Sequence, residues 1–136
     1  MDSGQWTVDS GQWTVFGDDF MVQTFRDLIV WQRSMQLTVA IYRLTQKFPR
    51  EELYGLTNQI RRSAVSIPSN IAEGQGRDSQ GEFKRFLNIA RGSDSELQTQ
   101  LEIARALGFG ESKMIDEAES LSHETGKMLF ALLESL

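Results

Sequence analysis

A chain of 136 residues with no cysteine is long enough for one domain with its own core, and it excludes disulfides, thiolate metal sites and cysteine nucleophiles. No apolar run approaches the roughly 18–20 residues of a membrane span, and the N-terminus lacks the basic start and apolar stretch of a secretion signal, so a soluble cytoplasmic protein with no membrane role is expected. The net charge of −5 is unevenly spread: residues 26–91 carry eleven bases and six acids, residues 92–136 three bases and nine acids. Such a pairing is either an anion-binding face or a mixed helical surface whose halves attract each other.

The first twenty residues stand apart. Asp2-Ser3-Gly4-Gln5-Trp6-Thr7-Val8 repeats at once as Asp9-Ser10-Gly11-Gln12-Trp13-Thr14-Val15. Each Gln-Trp-Thr-Val alternates like a strand, and Asp-Ser-Gly is turn chemistry, so a weak hairpin is predicted. Met21 resembles a natural start. Residues 1–20 are therefore read as an N-terminal extension (an upstream duplication, a misplaced start or a non-native remnant), and 21–136 as the domain.

From Thr24 the pattern turns helical. The first helix is predicted from about Thr24 to Lys47, stopped by Phe48-Pro49. The second starts after Pro49 with Glu51 and Glu52 in its first turn. It buries Leu53, Leu56, Ile60, Ala64, Ile67 and Ile71, and ends at Gly74-Gln75-Gly76 through a left-handed glycine. Pro68 falls inside it and frees the carbonyl of Ala64. Because the stripe continues to Ile71, a kink is expected rather than a stop, with Ser66 or Ser69 covering that carbonyl. The third helix opens on a Ser79…Glu82 capping box, buries Phe83, Phe86, Leu87, Ala90, Leu97, Leu101 and Ala104, and closes at Gly108. The fourth runs from about Glu111 to Leu136, with Met114, Ala118, Leu121, Met128, Leu132 and Leu136 inward. Short connections make neighbours antiparallel. The fold class is all-α, an up-down-up-down four-helix bundle with a kinked second helix.

Two helices suggest self-association. The first carries two apolar stripes on nearly opposite sides: Leu28, Trp31, Met35, Val39, Tyr42, and Val30, Leu37, Ile41, Leu44, Phe48. A helix in a monomeric bundle buries one. Opposite its core stripe, the third helix aligns mostly small residues: Gly81, Arg85, Asn88, Gly92, Ser95, Thr99 and Ala106. Such a row lets another helix approach closely, and a packing contact would explain Gly92, which costs about 1 kcal/mol in mid-helix. A wet polar face with incidental small residues is the plainer reading. Trp31, Asn88, Gly92, Ser95 and Thr99 are the interface candidates.

No catalytic constellation emerges, and no cofactor or metal is implied. A bundle dimetal site needs a Glu-x-x-His motif on each of two helices. Here the one histidine, His123, has Ser120 three residues before it, and Glu119 four before. Glu73 lies beside the kink and glycines, where helix-end packing is the plainer role. Gly74-Gln75-Gly76 lacks the strand-to-helix context of a phosphate loop. Arg61, Arg62, Lys84, Arg85 and Arg91 remain as nucleic-acid candidates, arginine being suited to phosphate. They are read as a set without interleaved aromatics, which argues against stacking on single-stranded bases. Salt bridging to the acidic fourth helix, or across an oligomer interface, is the plainer alternative.

Four stretches carry a family resemblance: Phe25-x-x-Leu28-x-Val30-Trp31-Gln32; Tyr42-x-Leu44-Thr45-x-x-Phe48-Pro49-x-Glu51-Glu52-x-Tyr54-Gly55-Leu56; Gln59 through Gly74; and Phe86-Leu87-x-Ile89-Ala90-x-Gly92-Ser93-x-x-Glu96-Leu97. Over Thr24 to Leu136 the chain resembles the bacterial four-helix bundle family of 23S rRNA intervening-sequence proteins. That family looks related to accessory proteins of diversity-generating retroelements, which bind a reverse transcriptase and nucleic acid. The resemblance implies a homopentameric barrel without enzyme activity. The Asp-Ser-Gly-Gln-Trp-Thr-Val duplication lies outside the family pattern, and the chain is acidic where the nucleic-acid-binding relatives are basic. The expected function is a non-enzymatic, self-assembling scaffold or adaptor, partnered by itself and by RNA or a nucleic-acid-handling protein. The alternative is an oligomeric protein–protein interaction module with no nucleic-acid role.

Overall fold

The structure is a computed structural model describing residues 5–9, 12–16 and 24–136. Strands β1 (Gln5–Asp9) and β2 (Gln12–Phe16) pair antiparallel, with Trp6 opposite Val15 and Val8 opposite Trp13. Met21 lies outside the described residues. The body that follows is all-α: α1 (Ile29–Thr45), α2 (Leu56–Gln75), α3 (Gln80–Leu107) and α4 (Ser112–Ser135).

Two predicted starts move. Thr24 caps a separate 3-10 turn, Phe25–Asp27, through a reciprocal box with Asp27. Leu28 then takes an extended conformation and drops its side chain into the core, so α1 begins at Ile29. After Pro49 the chain makes a second 3-10 turn, Arg50–Glu52, and α2 begins only after Gly55. The Glu52 carboxylate accepts the Leu56 amide at 3.2 Å, which occupies one of the free donors of α2. Leu53, expected in the core, falls in this connection and is exposed. Leu56 is only partly buried.

The glycines near the end of α2 have a different role from the one expected. Gly76 is right-handed, with φ −80°. Gly74 is buried, and a Cβ there would lie 2.7 Å from the Cβ of Phe86. Its bare Cα lets α3 approach. The left-handed exit appears at Gly108, where φ is 74°. At Ser79 the cap is half the predicted box: Ser79 Oγ accepts the Glu82 amide at 3.1 Å, but the Glu82 carboxylate turns to Arg85 at 3.3 Å.

The α2 helix runs unbroken through Pro68. The carbonyl of Ala64 is covered from another helix rather than by Ser66 or Ser69. Thr38 Oγ1 on α1 donates to it at 3.2 Å, sharing its proton with Ser34 O at 2.8 Å. Ser66 instead meets Ser93 at 2.8 Å.

Helices in sequence are neighbours, α4 closes on α1, and the α2–α3 seam is the most extensive. Residue numbers rise along one helix as they fall along the next. Ser63 meets Glu96 while Ser66 meets Ser93, and Gln80 meets Leu136 while Arg105 meets Asp116. The core holds the inner stripe of α1 (Val30, Leu37, Ile41, Leu44), with Ile60, Ile67 and Ile71 of α2, Leu87, Leu97 and Leu101 of α3, and Ile115, Leu129 and Leu132 of α4. Each such side chain contributes about 1.5–3 kcal/mol by leaving water. Among the described residues, no helix is long and apolar enough to cross a membrane.

Candidate functional site

The five basic candidates do not form one patch. Arg61 reaches back to α1, donating from Nε to Thr45 Oγ1 at 2.8 Å with its guanidinium 4.7 Å from the Tyr42 ring centre. Arg62 is exposed. Arg85 is held by Glu82 and lies 4.5 Å from the centre of the Phe86 ring. Lys84 is exposed, its carbonyl accepting from Asn88 Nδ2 at 3.1 Å. Arg91 lies 5.1 Å from the centre of Phe130 on α4. In a ring of four helices, the α1–α2 and α3–α4 grooves lie on opposite sides, so Arg61 and Arg91 serve different surfaces.

Aromatic rings do accompany these cations, contrary to the sequence reading. Tyr42 and Phe130 come from neighbouring helices, where a scan along one helix cannot see them, and Phe86 is the next residue. Pairing with α4 is real, but other arginines make it. Arg33 meets Glu124 at 3.3 Å, and Arg105 forks to Asp116 at 2.8 Å and Glu119 at 2.7 Å. These carboxylates raise the already high pKa of Arg105. Glu73 is held by Arg77 at 2.7 Å.

Arg62 stands on a ridge with Asn58 and Ser66, between two grooves. On the α1 side, a groove of about 450 Å³ is bordered by Tyr42, Arg61 and Val65. On the α3 side, a trench of about 350 Å³ is bordered by polar and charged residues that include Gln59, Ser63, Ser93, Glu96 and Gln100. Asn70 Nδ2 donates to Ser66 Oγ at 2.9 Å, and the Ser66 and Ser93 hydroxyls share a hydrogen bond at 2.8 Å.

The assembly candidates divide. Asn88, Gly92, Ser95 and Thr99 are exposed along α3, and a Cβ on Gly92 would meet nothing within 4 Å. Trp31 is half-buried, packed on the core and edge-on to Phe25 with ring centres 5.1 Å apart. Of the outer α1 stripe, Leu28 has joined the core, while Met35, Val39 and Tyr42 are 38 %, 44 % and 40 % exposed.

One feature escaped the sequence reading. Asp94 is 2 % exposed, between α3 and α4. Ser122 Oγ donates to its Oδ1 at 2.6 Å and Gln98 Nε2 to its Oδ2 at 3.1 Å. Burial raises its pKa from 3.8 to about 6, against the lowering effect of those bonds and of His123. A Cβ at Gly126 would lie 2.8 Å from Oδ2, so glycine there makes room for the carboxylate. Arg91, His123 and Lys127 border the cleft above it. The signal was present: the core stripe steps from Ala90 to Leu97, and Asp94 occupies the skipped turn. Among the described residues, no group of three or more His, Asp or Glu side chains is placed to hold a metal ion.

A family model described as 23S rRNA-intervening sequence protein matches residues 26–131. Among solved structures, a protein of unknown function from the S23 ribosomal protein family of Bacteroides thetaiotaomicron is similar, with 26% sequence identity and a TM-score of 0.72. The match covers 78% of this chain and 96% of that one. No curated protein matches.

Proposed function

The chain belongs to the 23S rRNA-intervening sequence protein family, and on that premise we propose that it is a non-enzymatic, self-assembling helical scaffold or adaptor of the cytoplasm that associates with RNA. The observation that carries the assembly is the outer face of α1. Met35, Val39 and Tyr42 form an exposed apolar stripe on a helix whose inner stripe is already buried. Gly92 supports it, since no neighbour within the protomer requires a glycine there. An up-down-up-down bundle leaves both faces free to pack against copies of itself, and a pentameric barrel is the proposed form. For RNA, the support is the set Arg61, Arg62, Lys84, Arg85 and Arg91, none of which pairs with an α4 carboxylate among the described residues.

Charge reversal tests the RNA half. Affinity for structured RNA should fall steeply with salt as phosphates release counterions. Reversing Arg62, Lys84 and Arg91 together should abolish binding while the assembly mass stays constant. Dissociation of the assembly instead would make these residues interface partners. It would favour the second reading, an interaction module without nucleic acid, which the exposed apolar stripe of α1 supports equally.

A further inference from the structure

The cleft between α3 and α4 collects basic side chains although α4 is mainly acidic. Arg91 of α3 and His123 and Lys127 of α4 border about 520 Å³ of open space, and all three are exposed. Among the described residues none of them pairs with a carboxylate. The neighbouring acids of α4 are held elsewhere, Glu119 by Arg105 and Glu124 by Arg33. Nor are Arg91 and Lys127 the counter-ions of Asp94. Its oxygens take donors from Ser122 and Gln98, and of the three basic groups only His123 acts on its pKa.

Phe130 completes the rim, its ring 49 % exposed with the Arg91 guanidinium 5.1 Å from its centre. Gly126 and Ala131 put no long side chain in the way. Arg91 points about 100° around α3 from Gly92, so the cleft lies to one side of the row that packs against copies of the chain. Ser95 of that row touches the cleft, but the site does not need it.

Two full positive charges and an imidazole N–H suit a phosphate monoester, which carries a charge of about −1.5 to −2 near neutral pH and accepts on three oxygens. A phosphodiester within a strand brings only one charge. An exposed ring beside the phosphate accepts a base by stacking, and the volume falls in the roughly 300–1,000 Å³ range of small-molecule sites. We propose that the α3–α4 cleft binds the 5′-phosphate of a nucleotide, either free or at the end of an RNA strand, with the phosphate on Arg91, His123 and Lys127 and the base against Phe130. The site shares Arg91 with the RNA half of the proposed function but is tested separately from it. Asp94, 2 % exposed, touches no ligand atom and acts only as a like charge beneath the phosphate.

The test is isothermal titration calorimetry of adenosine 5′-monophosphate, adenosine and inorganic phosphate on the full chain, with circular dichroism and light scattering on each variant. The monophosphate should bind and adenosine should not. Lys127→Ala and Arg91→Ala, both at exposed positions, should each weaken the monophosphate on the order of tenfold. Phe130→Ala should weaken it on the order of tenfold and leave inorganic phosphate unchanged. Asp94→Asn should tighten it severalfold by removing the like charge. A short RNA with a 5′-phosphate that displaces the monophosphate, where the same RNA with a 5′-hydroxyl does not, makes an RNA end the natural source. Failure of both RNAs to displace it makes the source a free nucleotide. Equal binding of adenosine, native affinity in the Lys127 and Arg91 variants, or no tightening by Asp94→Asn would overturn the site. No binding of the monophosphate would overturn it too, and RNA binding elsewhere on the chain would then still stand. A changed assembly mass in the Lys127 variant would make the cleft a seam between chains, which also overturns the proposal.

Discussion

Asp94→Asn should stabilise this protein at neutral pH. In the native chain the carboxylate is removed from water with two neutral donors, Ser122 and Gln98, and no cation in ion-pair contact among the described residues. Arg91, His123 and Lys127 border the cleft, but burial outweighs them and raises the pKa from 3.8 to about 6. The folded state therefore holds its proton more tightly than the unfolded chain. The associated stability is fully present below about pH 3.8, falls as the unfolded chain ionises, and is lost as pH rises through about 6. That rise in pKa corresponds to roughly 3 kcal/mol at neutral pH. Asparagine keeps the shape and the Ser122 bond, and Gln98 can turn its amide to present oxygen to the new NH₂. Part of the charged hydrogen bonding is lost, so a net gain of about 1–2 kcal/mol is expected, or a few degrees in Tm. Thermal melts of both proteins from about pH 4.5 to 8 test this, because contributions from all other carboxylates cancel in the difference. The variant's advantage should appear above about pH 6 and fade below about pH 5. A variant less stable at neutral pH than at pH 5, relative to native, would mean that the bordering cations neutralise Asp94 and that burial does not dominate.

Gly74→Ala should cost about 1–3 kcal/mol in denaturant melts, since its Cβ would meet that of Phe86 at 2.7 Å. An unchanged midpoint would show that α3 yields easily. Thr38→Val should cost about 1 kcal/mol by baring the Ala64 carbonyl beneath Pro68, and adding Pro68→Ala to the same chain, which supplies the missing N–H, should remove most of that penalty. Gly92→Arg should reduce the assembly mass while helical circular dichroism is retained. Loss of helicity would place position 92 inside the protomer. A chain starting at Met21 should melt within about 5 °C of the full chain.

The four helices were legible because their apolar residues recur every three or four positions, and burial follows that stripe in Ile60, Ala64, Ile67 and Ile71. Helix ends were less so. Leu53 has the right spacing for α2, but the turn at Gly55 and the Glu52 cap start the helix three residues later. Periodicity also says nothing about which partner a polar group finds. The Ala64 carbonyl takes its donor from Thr38, 26 residues away, where local reasoning looked to Ser66 and Ser69. The arginine–aromatic pairs Arg61–Tyr42 and Arg91–Phe130 exist only after the helices pack. Asp94 was missed because a core was sought among apolar residues, although its place in the stripe marked it as buried. That the buried Gln100 Oε1 has no hydrogen-bond partner among the described residues is visible only in the assembled seam.

Native mass spectrometry of the full chain, at low micromolar concentration, tests the central claim of self-assembly most directly. A single dominant species with five times the 15.5 kDa chain mass is the result expected if the exposed faces of α1 and α3 pack against copies of themselves. A species at 15.5 kDa alone would contradict it, leaving Met35, Val39 and Tyr42 as ordinary surface residues of a monomeric bundle.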